Sequence, residues 1–593
     1  MAEGFRSFTN REGNQIEAVT LGVDLKTSSA SLRLRDGREF AVPIASLSLD
    51  DQAWLVAWEK ERRATRDPGG WKSVVVTLPQ VMSRIEAPGC HGAFYRIGLK
   101  TWRGEIPEGA WLRVSDVVDG KVGNYVAEPE LILRFDGFWN ALEVTFEGGL
   151  FRASFDGAAP VVVGATGSMA SDGVIPQPVP GRVFDRQRTQ AEQEEFLRKV
   201  RELVPEGRRI CFQPAITMQE PVRRRYRDLF EALVIAGDYQ ISLLDFVDYW
   251  QVRGLRVEDD LSLQSLDPSH LSTLEYLGVE KNIEDIDKLA GFEALSVVEL
   301  GRIDGQSGLD HLAKVPNLRL VEVGSLRDDD TTFSLTGWDQ LPKLQGIDFD
   351  LRYCRIDAQS VGRCLGLRSM CFEDYNQDPA GGWMRNLAAL RNAYWSSRLD
   401  AAPLIEMAQA SAWSPGMRSV KNWNTTPFTH LPSLRAIVHP GSVRKRTLTR
   451  TNSEGQQVTL TGELPYLWPN AGIEGAEFLE YIEIDGVSQE MLDAIFAKVN
   501  PGSVRTLVLS NLLDCTDLSG LARLENLRVL SLSHFDSVFR DAELGEIDVR
   551  PLKSLEILEV ISNGSSPPPR VLHGEVIYKD IGDSSPRAKF HNF

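Results

Sequence analysis

The chain has 593 residues and a formal net charge of −18, from 83 acidic side chains against 65 Lys and Arg, a balance that disfavours nucleic acid and anionic lipid surfaces. Its length exceeds what one core supports, so several domains are expected, and 42% hydrophobic with 25% charged residues fits a folded soluble protein. No apolar run of about 18 residues exists to span a membrane, and six cysteines without a CxxC pair point away from a disulfide scaffold or a zinc site.

The first 63 residues open with four short alternating runs, Arg6–Thr9, Ile16–Leu21, Ala30–Arg35 and Glu39–Val42. Gly13 and the Asp36-Gly37 pair supply turns between them. Ser48 suits a helix N-cap, with Asp50 and Asp51 at the positive end of the dipole. The order Arg6 and Phe8, Gly13, Ile16 and Ala18, Leu32 and Leu34, Asp36-Gly37, Val42-Pro43, Leu47-Ser48, Asp51-Gln52 resembles the first Sla homology domain, an SH3-like module. Phe8 stands where that family usually has Trp. The resemblance implies a β-barrel over 1–63. In endocytic adaptors such modules bind Asn-Pro-Phe peptides, and similar modules begin secreted bacterial proteins. It therefore implies a periplasmic or secreted protein with Ala2-Glu3-Gly4 as a mature start after removal of a signal peptide; the start MAEGF, with no leader-like segment, keeps a cytoplasmic protein as the alternative.

Residues 71–164 carry further strand-like runs, among them Val74–Leu78, Trp111–Val114, Leu131–Phe135, Leu142–Phe146 and Leu150–Phe155, with turns at Asp119-Gly120, Asp136-Gly137 and Asp156-Gly157. The spacing predicts a sandwich or barrel. Trp102 and Trp139 are its candidates for stacking on sugar rings, set against ordinary core packing of aromatics. After a Gly/Pro-rich linker, 183–260 reads as a helical segment capping the repetitive C-terminal half. Gln187–Val204 has Phe196, Leu197, Val200 and Leu203 on one face, and Pro221–Arg253 is a second helical stretch broken at Gly237.

From 261 to 565 an apolar residue recurs at every third position, then at every second. Leu518, Leu521, Leu524, Leu527, Leu530 and Leu532 spell it, as do Ile286, Leu289, Phe292, Leu295, Val298 and Leu300. Strand-opening residues Leu274, Leu295, Leu318, Leu344, Leu367 and Leu390 lie 21, 23, 26, 23 and 23 residues apart. The pattern resembles an irregular bacterial leucine-rich repeat and predicts a solenoid, with Asn282 and Asn563 at the position of that family's ladder asparagine. Arg444–Glu463 reads as a basic, polar insertion, either a hairpin or a flexible loop, and 566–593 as a tail, either loose or a short strand. The predicted fold is thus multi-domain α+β: SH3-like barrel, β-sandwich-like domain, helical cap and leucine-rich-repeat solenoid.

Because strand side chains alternate, the residues between the buried leucines face the concave side. Those positions give Glu275, Tyr276, Glu299, Glu322, Asp348, Asp350, Glu373, Tyr394, Tyr481, Glu483, Asp485 and Glu559 as a partner-binding face, predominantly acidic and suited to a basic protein or peptide. No HExxH, Walker loop, G-x-S-x-G or G-x-G-x-x-G occurs, and eight histidines are scattered singly, so no catalytic, metal or cofactor site is predicted. Cys364 shares the core phase of Val361, Leu367 and Met370, while Cys354, Cys364 and Cys371 lie close enough in sequence for one disulfide. The expected function is a non-catalytic interaction protein working through the repeat face and the SH3-like module. The alternatives are a glycan-binding surface protein and an enzyme with a site between 71–164 and the repeats.

Overall fold

A computed structural model provides the structure. It describes residues 6–10, 13–24, 29–34, 38–48, 51–52, 54–55, 70–90, 93–118, 128–166, 190–213, 220–235, 251–264, 271–327, 332–351, 354–373, 390–395, 419–422, 435–439, 446–451, 457–462, 477–487, 489–512, 517–533, 546–561, 570–572 and 577–580. The chain divides into two compact units: Met1–Pro88, Lys100–Ile303 and Lys314–Glu322 in the first, and Gly89–Leu99, Asp304–Ala313 and Val323–Phe593 in the second.

The first unit begins with an antiparallel meander of β1 (Arg6–Thr9), β2 (Gln15–Asp24), β3 (Ser29–Leu34) and β4 (Glu39–Pro43). Alternation places Phe8, Ala18, Ala30 and Leu32 inward, packed with Leu47 and Leu55.

Next come β5 (Trp71–Thr77), β6 (Arg84–Glu86), β7 (Phe94–Arg96, in the second unit), β8 (Thr101–Pro107), β9 (Trp111–Ser115), β10 (Leu131–Arg134), β11 (Ala141–Glu147), β12 (Leu150–Phe155) and β13 (Val161–Thr166). Strands β6, β9 and β10 form a three-stranded sheet. The others in the first unit pair in the order β8-β5-β11-β12-β13, and β13 passes directly into a parallel ladder: β14 (Ile210–Gln213), β15 (Phe230–Ile235), β16 (Gly254–Val257), β18 (Tyr276–Glu284) and β19 (Val297–Asp304), with the short β17 (Leu261–Ser262) beside β18.

This corrects the expected helical segment over 183–260. Helices α1 (Gln190–Leu203) and α2 (Glu220–Tyr226) are present, but they alternate with β14, β15 and β16, and Phe230–Ile235 is a strand. The spacing of Leu229, Phe230, Leu233 and Val234 fits a helical stripe, yet the run is buried on both faces, as a parallel strand is. The ladder's first strands are covered at their edge by the β11–β13 strands rather than by a helical cap.

In the first unit β20 (Leu320–Val323) comes after β19, its Leu320 N–H donating to the Ser296 carbonyl. The second unit contains α3 (Gly305–Leu312), the short β21 (Leu326–Arg327), β22 (Thr332–Phe333) and β24 (Arg355–Ile356), and its own parallel ladder. That ladder runs β23 (Gly346–Asp350), β25 (Ser369–Glu373), β26 (Asn392–Trp395), β27 (Ser419–Asn422), β28 (Ala436–His439), β31 (Tyr481–Val487), β32 (Thr506–Leu512), β33 (Val529–Ser533), β35 (Ile557–Ile561) and β37 (Ile577–Asp580). The 444–463 insertion is the antiparallel hairpin of β29 (Arg446–Thr451) and β30 (Gln457–Gly462). Beyond 565 the tail takes the short-strand alternative, adding β36 (Arg570–Leu572), paired with β34 (Glu546–Asp548), and β37.

Each repeat is built by one local rule. Leu521, Leu524 and Leu527 each donate their N–H to the carbonyl three residues back, as do Phe292 and Leu295. In such turns side chains at i and i+3 eclipse, so every third residue faces the core. The chain then extends, and the period becomes two. Leu274, Leu295, Leu318, Leu367, Leu390, Leu479, Val504 and Leu527 are all 0 or 1% exposed, each such burial contributing about 1.5–3 kcal/mol. The residue after the strand-opening apolar position joins neighbouring repeats. The Glu275 carbonyl accepts the N–H groups of both Ser296 and Val297, and Gln345 and Arg505 do the same for their next repeats.

Candidate functional site

In the first unit the β6-β9-β10 sheet covers strand side chains that alternate away from the leucines, Tyr276 and Glu299 among them, while Glu280 stays exposed. Trp111 stacks on Tyr276 with ring centroids 5.5 Å apart, and it fits because β16 offers Gly254, where a Cβ would come within 2.7 Å of the indole. Tyr276 leans across Gly278 and donates its hydroxyl to Glu299 at 2.6 Å. Arg256 bonds Glu299 at 2.8 Å through Nη1 and Glu130 at 2.8 Å through Nε, and Arg113 pairs with Glu86 and reaches Glu299 at 3.5 Å. Arg134 and Arg253 grip Glu275 at 2.6 and 2.5 Å.

Burial alone would raise the pKa of Glu299, but the two guanidinium groups and the Tyr276 hydroxyl outweigh it and hold the carboxyl below its ordinary range. Glu130 shares the same arginines and is pushed up, because burial dominates there. The buried core of the network balances Arg113 and Arg256 against Glu130 and Glu299, with Glu86 and Glu280 at its more exposed margin.

In the second unit the segment Ala93–Leu99 lies against β31, β32, β33 and β35. Tyr95 donates its hydroxyl to Glu480 at 2.9 Å, Thr506 donates to the Arg96 carbonyl at 2.7 Å, and the Leu99 N–H donates to Glu556 at 2.7 Å.

The sequence-predicted face is therefore corrected from an open acidic groove. Tyr276, Glu299, Asp348, Asp350, Tyr481 and Glu559 are all 7% exposed or less, while Glu275, Glu322 and Glu483 are half-buried. Glu483 shares its register row with Ser531 and Glu559, and Asp348 shares another with Cys371 and Tyr394. The side chains of Glu373, Tyr394 and Asp485, the turns at Asp36-Gly37 and Asp119-Gly120, and Asn563 lie outside the described residues. Asn282 is no buried ladder asparagine: it is exposed and bonds Asp260 at 2.7 Å. Trp102 and Trp139 are each 4% exposed, which corrects their assignment as sugar platforms. Trp139 packs edge-on to Phe135 at 4.7 Å. Cys354, Cys364 and Cys371 are buried and share no disulfide, and burial pushes Cys354 and Cys364 up to about 12.

The residues that sequence reasoning missed are the covering ones, Arg113, Arg134, Tyr95 and Arg96. Their signal is a basic or aromatic side chain within the short strands β7, β9 and β10.

A cleft of about 390 Å³ lies on the N-terminal module, lined by Phe8, Asn10, Asn14, Ile16, Val42, Ser46 and Leu47. Its walls are held by the motif residues themselves. Ser48 and Asp51 cap the helical turn reciprocally, with Ser48 Oγ donating to Asp51 at 2.8 Å and accepting the Asp51 N–H at 3.2 Å. Asp51 also accepts the Thr9 N–H at 2.8 Å and pairs with Arg6 at 3.0 Å, and Gln52 donates to the Leu47 carbonyl. Burial opposes ionisation of Asp51, but these donors hold its carboxyl below the ordinary range. Gly13, at φ +86°, makes the tight β1–β2 return that brings Asn10 and Asn14 together, with the Asn14 N–H on Asn10 Oδ1 at 2.8 Å.

No protein-family model matches the chain, and no curated protein matches it. Solved structures to which it is similar include an internalin, InlF, from Listeria monocytogenes, at 16% identity over 58% of this chain and 89% of that one, with TM-score 0.34. A leucine-rich-repeat protein of Leptospira interrogans aligns at 13% identity over 61% of this chain and 82% of that one, TM-score 0.33. The mouse RP105/MD-1 complex aligns at 14% identity over 55% and 60%, TM-score 0.34. The parallel repeats of this chain rest on their own register and hydrogen bonds. Among the described residues no helix is long and apolar enough to cross a membrane, and no cluster of His, Cys, Asp or Glu could hold a metal.

Proposed function

We propose that the chain is a non-catalytic protein-binding protein whose N-terminal SH3-like module takes a short peptide in its cleft, carried on an irregular leucine-rich-repeat solenoid. The observation that carries the reading is the cleft: an apolar floor of Phe8, Ile16, Val42 and Leu47, with the amides of Asn10 and Asn14 and the hydroxyl of Ser46 around it. Such a mixture suits a peptide with one apolar side chain and a polar backbone. The resemblance to the first Sla homology domain makes Asn-Pro-Phe the first sequence to try, and it also makes export from a bacterium part of this reading. On the repeats, Glu322 and Glu483, half-buried like Glu275, are proposed contacts together with Glu373, Tyr394 and Asp485.

The test is fluorescence anisotropy of a labelled Asn-Pro-Phe peptide titrated with the full chain. Saturable binding is expected, and Ile16→Glu, at a half-buried wall position, abolishes it while circular dichroism stays unchanged. Absence of binding by this peptide and by a panel of related tripeptide motifs refutes the reading.

A further inference from the structure

We propose that the face of β31, β32, β33 and β35 is a recognition site for an extended aromatic–arginine peptide, and that Tyr95–Arg96 of this chain is its resident, displaceable occupant. The proposal concerns a different surface from the N-terminal cleft and stands or falls separately from it.

The segment is held as a bound peptide is held. Its backbone is anchored three residues apart, by Thr506 on the Arg96 carbonyl at 2.7 Å and by Glu556 on the Leu99 N–H at 2.7 Å. Between these anchors Gly98 passes so close that a Cβ would meet the Arg528 guanidinium at 3.0 Å, and Arg528 itself pairs with Glu556. Two side chains are read individually. The Tyr95 ring tilts against Tyr481 at 6.1 Å, and its hydroxyl donates to Glu480. The Arg96 side chain is only 4% exposed. Desolvation weakens its protonated form, and the neighbouring Tyr481 and Glu559 oppose that effect. Glu559 is 2% exposed and is set in place by the Ser531 hydroxyl at 2.7 Å. Arg96 Nη1 donates to the Leu99 carbonyl at 3.4 Å, and the charge of the buried Glu559 favours the protonated guanidinium; a buried carboxylate left without that opposite charge is costly, so the site selects arginine. A tethered occupant has an effective concentration on the order of millimolar, so a partner's Tyr-Arg segment competes with it only when it makes more contacts or when the resident segment is weakened.

The experiment uses the full chain carrying Tyr95→Ala and Arg96→Ala, titrated against a fluorescein-labelled peptide Ala-Phe-Tyr-Arg-Ile-Gly-Leu. The double variant is expected to bind it saturably and at least tenfold more tightly than wild type does. Replacing the peptide's Arg by Ala, or adding Glu559→Gln to the double variant, should weaken binding at least tenfold. A folded double variant that binds neither peptide, or both alike, overturns the proposal. Should the double variant not fold, wild type decides: excess peptide raises amide hydrogen exchange across Phe94–Leu99 if the segment is displaceable, and unchanged exchange overturns the proposal.

Discussion

Replacing Arg256 with Met removes a guanidinium and keeps most of its aliphatic length at a side chain 3% exposed. Arg256 lies 2.8 Å from Glu130, 2.8 Å from Glu299 and 3.4 Å from Glu280. At an effective dielectric of about 20, each close contact is worth roughly 4 kcal/mol before desolvation. Without Arg256, the buried Glu130 and Glu299 are left to Arg113 at 3.7 and 3.5 Å. Breaking such a pair on one side costs about 3–5 kcal/mol, because a buried charge loses its partner. Urea unfolding of the full chain, combined with hydrogen exchange at the Gly254–Val257 and Tyr276–Glu284 amides, measures the loss where it occurs. The pH dependence has a definite sign. Glu299 has a folded pKa below its unfolded one, so its contribution is full above the ordinary carboxylate range and disappears as pH falls through the lowered folded value. In the Met variant that carboxyl's pKa rises, so the difference from wild type narrows as the pH is lowered below about 5. A loss under about 1 kcal/mol, or additive losses in R256M and E299Q, would refute the coupled network.

Three further substitutions probe the rest of the molecule. Asp51→Asn should cost the N-terminal module about 1–2 kcal/mol, the cap and its donors contributing most because Arg6 is 36% exposed. Since the Asp51 pKa is lowered, its contribution is lost as pH falls through the folded value, so thermal melts of wild type and D51N converge in acid. Gly254→Ala should destabilise the first unit by about 1–3 kcal/mol, since its Cβ would sit within 2.7 Å of Trp111; Trp111→Leu in the same chain should relieve that cost, and equal costs in both backgrounds would exclude the steric account. Trp139→Ala should lower stability by about 3–5 kcal/mol and leave a glycan array unchanged, whereas glycan binding lost without destabilisation would restore a surface role for this ring.

The repeats were legible because their rule is local. A leucine every third residue states successive tight turns, and the change to alternate spacing states a strand, as at Leu518–Leu532. The capping of Ser48 and Asp51 was legible for the same reason, its partners being three residues apart. Phe230–Ile235 was misread because a short apolar run has no period that separates a helix stripe from a strand buried on both faces.

What covers the strand face was not in any window of sequence. Arg134 meets Glu275 across 141 residues, Arg256 meets Glu130 across 126, and Leu99 meets Glu556 across 457. Alternation says that an acidic side chain points away from the leucines. It carries no record of whether water or a distant arginine lies there, because desolvation and charge pairing act through space and only the folded chain brings those groups within 3 Å.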